Sequence, residues 1–290
     1  MSNLTTRFVN YVRHAELNGF WISLYCKALY GFLGLKLIAL SPVIEDVSRY
    51  APFTFGSLKR YLLYAPLALA RPDLNWFVYA LALLIVVGLW VRTNYMTGFL
   101  IFWFSLSLSR LCLPVQNGSD VVLNLFLFLG IFMPGNPSLR SGWSDYQLII
   151  SRFVILVAMI QLSLIYFISG LDKLLSAGWR SGNAIDSIAN LTFYFNPLVD
   201  IEMSSGLRMV LCWTVIAFEL TFALLIWFRR ARKTLIIIGV IFHLLIIALL
   251  GLVDFGLVMI VTYSIYFTIT PATSNQQPAT SNQQPVTSNQ

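Results

Sequence analysis

Apolar residues run unbroken through long stretches of this chain, as in 81-LALLIVVGLW-90 and 234-TLIIIGVIFHLLIIALL-250, and polar residues gather in short pieces between them. No segment alternates apolar and polar positions over the ten or so residues that a membrane barrel strand needs, so the runs are predicted to be helices. Apolar length and breakers place eight segments, near residues 18–40, 74–91, 95–113, 120–133, 148–172, 207–228, 234–251 and 253–269. The fourth is short for a span, and little more than Gly251 to Asp254 separates the last two, so either suits a half-span or a re-entrant element. The expected fold is an all-α, polytopic integral membrane helical bundle of about eight transmembrane segments.

Turn-rich pieces join the segments: 41-SPVIEDVSRYAPFTFGS-57, 134-PGNPSLRSGWSD-145 and 178-GWRSGNAIDSIANLTFYFNP-197. The first and third carry enough aromatic residues to rest at the membrane interface or to cap a cavity. From Pro271 the chain reads PATSNQQ, PATSNQQ, PVTSNQ, a polar repeat with nothing to bury. The division expected is a transmembrane domain over 1–270 and a disordered low-complexity tail over 271–290.

Composition sharpens this picture. Of 290 residues, 58% are hydrophobic and 11% charged, with mean hydropathy +0.77, against about 45–50% and about 25% in ordinary soluble domains. A multi-pass protein of the cell membrane, with the lipid bilayer as its surroundings, follows. The net charge of +7 lies beside apolar runs and reads as membrane topology rather than as nucleic-acid binding. The tight cluster 229-RRARK-233 is the strongest positive-inside signal and places both termini in the cytoplasm. The first apolar run contains Lys27 and Lys36 and lacks a small-residue exit, so it is expected to stay attached rather than to be cleaved.

An ionisable side chain in a span needs a partner, a wet cavity or a route to the interface. Lys27 and Lys36 lie nine residues apart on opposite sides of the first helix, and Lys36 is expected to snorkel to the interface. In 162-LSLIYFISGLDKLLSAGW-179, Tyr166, Ser169 and Lys173 stand at i, i+3 and i+7 on one helix face, which Gly170 narrows. A lysine there is either a base in a desolvated site or a cation snorkelling beside Asp172; Trp179 follows just beyond. His243 sits among aliphatic residues and is either hydrogen-bonded to a neighbouring helix or catalytic. Glu219 needs a donor, for which His243 and a lysine are the candidates. Asp120 follows Ser119 in a cap-like position and is expected to cap the short fourth helix.

No metal site is expected, because Cys26, Cys112 and Cys212 have no ligand-like spacing and only two histidines occur. Motifs for nucleotide hydrolysis, serine hydrolysis or zinc chemistry are absent from the sequence.

Taken together, 166-YFISGLDKLLSAGW-179, 218-FELTFALLIWFRRARK-233 and 241-IFHLLIIALLGLVDFGLVMI-260 resemble the HTTM family, the membrane domain of vitamin K-dependent gamma-carboxylase and its bacterial relatives. The resemblance covers most of residues 10–270. Short length and the lack of an appended domain are most similar to bacterial members from antimicrobial peptide systems. The resemblance implies a role in maturing or exporting a small secreted peptide toxin with a partner maturation protein. It carries the carboxylase's base onto Lys173, which five spans from a cytoplasmic N-terminus place near the outer face, and implies a quinone-sized cavity lined by Tyr166, Lys173, Glu219 and His243. The carboxylase's large substrate-binding domain has no counterpart here, which speaks against glutamate carboxylation. A quinone-linked oxidoreductase and a non-enzymatic exporter or immunity protein are the alternatives, and whether the protein is an enzyme stays open.

Overall fold

Asparagine, aspartate and serine set most of the helix starts. The structure, a computed structural model, describes residues 16–50, 57–69, 73–91, 94–113, 116–133, 145–189 and 204–270. Helix α1 (Gly19–Leu40) begins where the Asn18 side chain accepts from the Trp21 amide. A 3-10 turn (Ser41–Val43) leads into α2 (Ile44–Tyr50), and two short helices follow, α3 (Leu58–Leu63) and α4 (Ala65–Leu69). Asp73 caps α5 (Leu74–Trp90), Asn94 caps α6 (Tyr95–Leu111), and Asn117 with Asp120 forms a capping box on α7 (Gly118–Ile131). Each cap satisfies backbone N–H groups that have no partner within the helix.

The second half contains the longest helix, α8 (Asp145–Leu175), then α9 (Ala177–Arg180) and α10 (Asn183–Ala189). Ser204 caps α11 (Ser205–Leu225), and α12 (Arg229–Leu250) ends on Gly251 in a left-handed conformation (φ 67°) before α13 (Val253–Thr262) and a 3-10 stretch (Tyr263–Phe267).

All eight apolar segments are helical, but length divides them. Four helices are long and apolar enough to cross a membrane: Gly19–Arg49, Tyr146–Leu175, Ser205–Leu225 and Arg229–Leu250. Leu74–Trp90, Gly118–Ile131 and Val253–Phe267 are apolar but shorter, and the eighth segment, Tyr95–Leu111, has 17 residues; a 17-residue helix such as α5 reaches roughly 25 Å, a little less than a hydrocarbon core of about 30 Å. The polar tail over 271–290, the piece 134–144 and the aromatic stretch 191–197 lie outside the described residues.

A two-residue antiparallel ladder, absent from the sequence reading, joins β1 (Glu16–Leu17) to β2 (Ile269–Thr270), and the Asn18 amide donates to the Thr268 carbonyl at 2.8 Å. It ties the start of α1 to the end of the final 3-10 stretch, so α1 runs antiparallel to α13. Helix α1 is central: Tyr25, Leu29 and Leu33 are fully buried among Phe77 and Leu81 of α5, Ile101 of α6 and Phe126 of α7. Helices α8 and α11 pack along each other, and α12 and α13 close over α8.

Candidate functional site

Four polar residues climb one face of α8 at helical spacing, Ser163, Tyr166, Ser169 and Lys173, and each meets a partner from another element or its own stripe. At the upper end, the Lys173 ammonium donates to both carboxylate oxygens of Glu219 on α11, each at 2.9 Å, and to Ser169 Oγ at 2.5 Å. Ser169 donates in turn to Glu219 Oε1 at 3.2 Å. Gly170 permits this approach: a Cβ there would lie 3.0 Å from Leu220 and 3.1 Å from the Glu219 Cβ. The Trp179 ring, presented by α9, stands 5.1 Å from the Lys173 ammonium, within cation–π range. Side-chain exposure is 19% for Lys173 and 8% for Glu219, so the pair is sheltered without being sealed.

Two turns down the same stripe, the Tyr166 hydroxyl lies 2.6 Å from His243 Nε2 and also hydrogen-bonds the Tyr263 hydroxyl. Aromatic rings close around this group, with Phe222 at 4.2 Å and Phe218 at 5.9 Å from Tyr166, and Phe242 at 5.1 Å and Phe255 at 5.8 Å from His243. His243 Nδ1 is buried without a hydrogen-bond partner. One turn further, Ser163 and Tyr266 share a hydrogen bond at 3.2 Å. The pairings Tyr166 with Tyr263 and Ser163 with Tyr266 show that α8 and the last helical stretch run antiparallel.

The structure thus joins Lys173 to Glu219 and gives His243 to Tyr166; of the two donors considered for Glu219, the lysine fills the place. Asp172 is exposed and takes no part. Tyr263 and Tyr266, which the sequence did not single out, complete the stripe.

Asp120 belongs to a different cluster. It caps α7 as expected, its Oδ2 accepting from the Asn117 amide at 3.2 Å, but its Oδ1 also lies 2.9 Å from Lys36 Nζ. Lys36 therefore does not snorkel: it is buried and pairs with Asp120 and with Asp254 (3.1 Å), because two carboxylates at the starts of α7 and α13 supply the countercharge inside the bundle. Among the described residues no group of three or more His, Cys, Asp or Glu is placed to hold a metal ion, and the three cysteines are buried and free.

Residues 26–270 match the HTTM domain family. The chain is 26% identical to the sporulation-delaying protein SdpB of Bacillus subtilis, over 75% of this chain and 68% of that one. It is 25% identical to the uncharacterized protein YitO of the same organism, over 67% of this chain and 66% of that one. The chain thus spans about two thirds of the length of each of these curated relatives. No solved structure matches it.

Proposed function

The chain belongs to the HTTM family, and we propose that it is the membrane component of a system that matures or exports a small secreted antimicrobial peptide, with Lys173 as the working residue. Similarity to a sporulation-delaying protein over 75% of the chain supports the pathway. The observation that carries the site is the Lys173 ammonium, bound by Glu219 and Ser169 under the Trp179 ring and still 19% exposed. In this reading all eight apolar helices cross the bilayer, both termini are cytoplasmic, and Lys173 lies near the outer face, where a secreted peptide and a partner maturation protein meet it.

A proton passing from Lys173 Nζ to the Glu219 carboxylate, 2.9 Å away, turns the ion pair into an amine and an acid without separating charge. The amine so formed is a base or a nucleophile at a sheltered, partly exposed position on the α8 stripe. His243 and Tyr166 act behind it, as a buried pair that fixes α12 and α13 against α8. The quinone implied by the family resemblance does not fit between them: Tyr166 and His243 are 2% and 1% exposed, in hydrogen-bond contact and ringed by phenylalanines.

The test compares peptide maturation in cells carrying wild-type protein, Lys173→Ala or His243→Ala, with membrane levels matched by immunoblot. Loss of mature peptide with Lys173→Ala at equal level is expected. Unchanged maturation would overturn the assignment and leave a scaffold or export role.

A further inference from the structure

An open groove of about 220 Å³ lies between α8 and α11, walled by Ile160, Leu164 and Phe167 on one side and Leu224 and Trp227 on the other, with Ser163 buried at its floor. The Ser163 hydroxyl is already engaged, donating to the Met159 carbonyl at 3.0 Å and sharing a hydrogen bond with Tyr266. Apart from the Trp227 indole N–H at one end, the groove therefore presents hydrocarbon, which suits an acyl chain and penalises a peptide backbone.

One end of the groove meets a cluster of cations. Trp227 precedes Arg229 by two residues, and Arg229, Arg230 and Lys233 are exposed at the start of α12. Among the described residues none of these three forms an ion pair. Arg232 turns inward instead, its Nε donating to the Ile226 carbonyl at 3.3 Å and its Nη1 to the Tyr266 carbonyl at 3.4 Å. Because Tyr266 also bonds Ser163, the basic turn is fastened to the floor of the groove. Exposed Trp227 and Phe228 stand between apolar groove and cations, the position that interfacial aromatics take in membranes.

We propose that groove and basic turn together form a binding site for one anionic phospholipid, with an acyl chain along α8 and α11 and the phosphate held by Arg229, Arg230 and Lys233. A neutral lipid shares the chain but not the charge, and a free anion shares the charge but not the chain, so selectivity arises from using both halves.

The full chain, purified in detergent, is offered phosphatidylglycerol or phosphatidylcholine of identical acyl composition, and bound lipid is counted by native mass spectrometry. Phosphatidylglycerol should be preferred roughly ten-fold, less so as salt rises. The triple change Arg229→Gln, Arg230→Gln, Lys233→Gln should abolish the preference, and Leu224→Trp, which fills the groove from an exposed position, should lower binding of both lipids. These substitutions lie on the surface, and an unchanged elution volume verifies the fold. Equal binding of the two lipids by the wild type would mean a non-selective annulus and overturn the proposal. So would a preference that survives the triple change, or binding indifferent to Leu224→Trp.

Discussion

Lys36 Nζ lies 2.9 Å from Asp120 Oδ1, with side-chain exposures of 5% and 2%, so two charges 84 residues apart are buried on each other. Asp254 completes the group at 3.1 Å but is 38% exposed. Removing one partner of a buried pair leaves the other charge uncompensated, at a cost of about 3–5 kcal/mol, whereas removing both is far milder. Lys36→Met is therefore expected to lower the melting temperature in detergent strongly, and Lys36→Met with Asp120→Asn to recover part of the loss. Asp254→Asn should cost less than Lys36→Met, because water already reaches that carboxylate. Thermal unfolding followed by tryptophan fluorescence checks the order of the three; equal melting for Lys36→Met and the wild type would show that the pair carries no stability.

Tyr166 joins three elements through one oxygen, accepting or donating to His243 on α12 and to Tyr263 after α13. Tyr166→Phe keeps the ring packing against Phe222 but strands the His243 and Tyr263 polar atoms in the core, at about 1–3 kcal/mol. Tyr263→Phe removes a single bond from the same group and leaves the Tyr166 to His243 contact in place, so it should be the milder change. If Tyr263→Phe proves the more damaging in thermal melts, the hydroxyl of Tyr166 is not the hub.

Much of this arrangement was legible in local sequence. Continuous apolar runs gave the long helices and Asp120 was read as a cap, whereas Asn18, Asp73, Asn94, Asn117 and Ser204, the caps that start the helices, were not singled out. The i, i+3, i+7 spacing placed Tyr166, Ser169 and Lys173 on one face, and burial alone demanded a donor for Glu219. What spacing could not show was pairing across distance. Lys36 meets residues from two other helices, so its likeness to a snorkelling lysine at a helix end was misleading. Tyr263 and Tyr266 carry no local signal that separates them from packing tyrosines, and a two-residue ladder between Glu16–Leu17 and Ile269–Thr270 is too short for any strand pattern.

Gly239 lies where α12 crosses the final helical stretch. A Cβ at this position would sit 2.7 Å from Tyr263 Cζ and 3.0 Å from Cε2, and a buried ring hydrogen-bonded to Tyr166 has little freedom to withdraw. Gly239→Ala, ordinarily favourable within a helix by about 1 kcal/mol, is thus expected to destabilise this protein. The decisive comparison is Gly239→Ala in the Tyr263→Leu background, where the smaller neighbour should remove most of the penalty. A penalty that persists undiminished would place the clash elsewhere.

Trp179 is the group that stands between Lys173 and the surroundings on the α9 side, 5.1 Å from the ammonium, while Glu219 and Ser169 hold the ammonium from the α8 and α11 side. Two barriers then restrain the lysine: one is a cover, the other an ion pair that holds the nitrogen against Glu219. Trp179→Ala lifts the cover alone, and Glu219→Gln breaks the pair alone. Labelling with an amine-reactive reagent, quantified on the peptide that contains Lys173, should be slow in the wild type and several-fold faster in Trp179→Ala. It should be faster again when both changes are combined, because access and release from the pair multiply rather than add. Exposed Lys59 and Lys233 report reagent activity in the same sample. Labelling of Lys173 as fast as these in the wild type would show that neither barrier operates, and with that the case for a poised amine at this position would be lost.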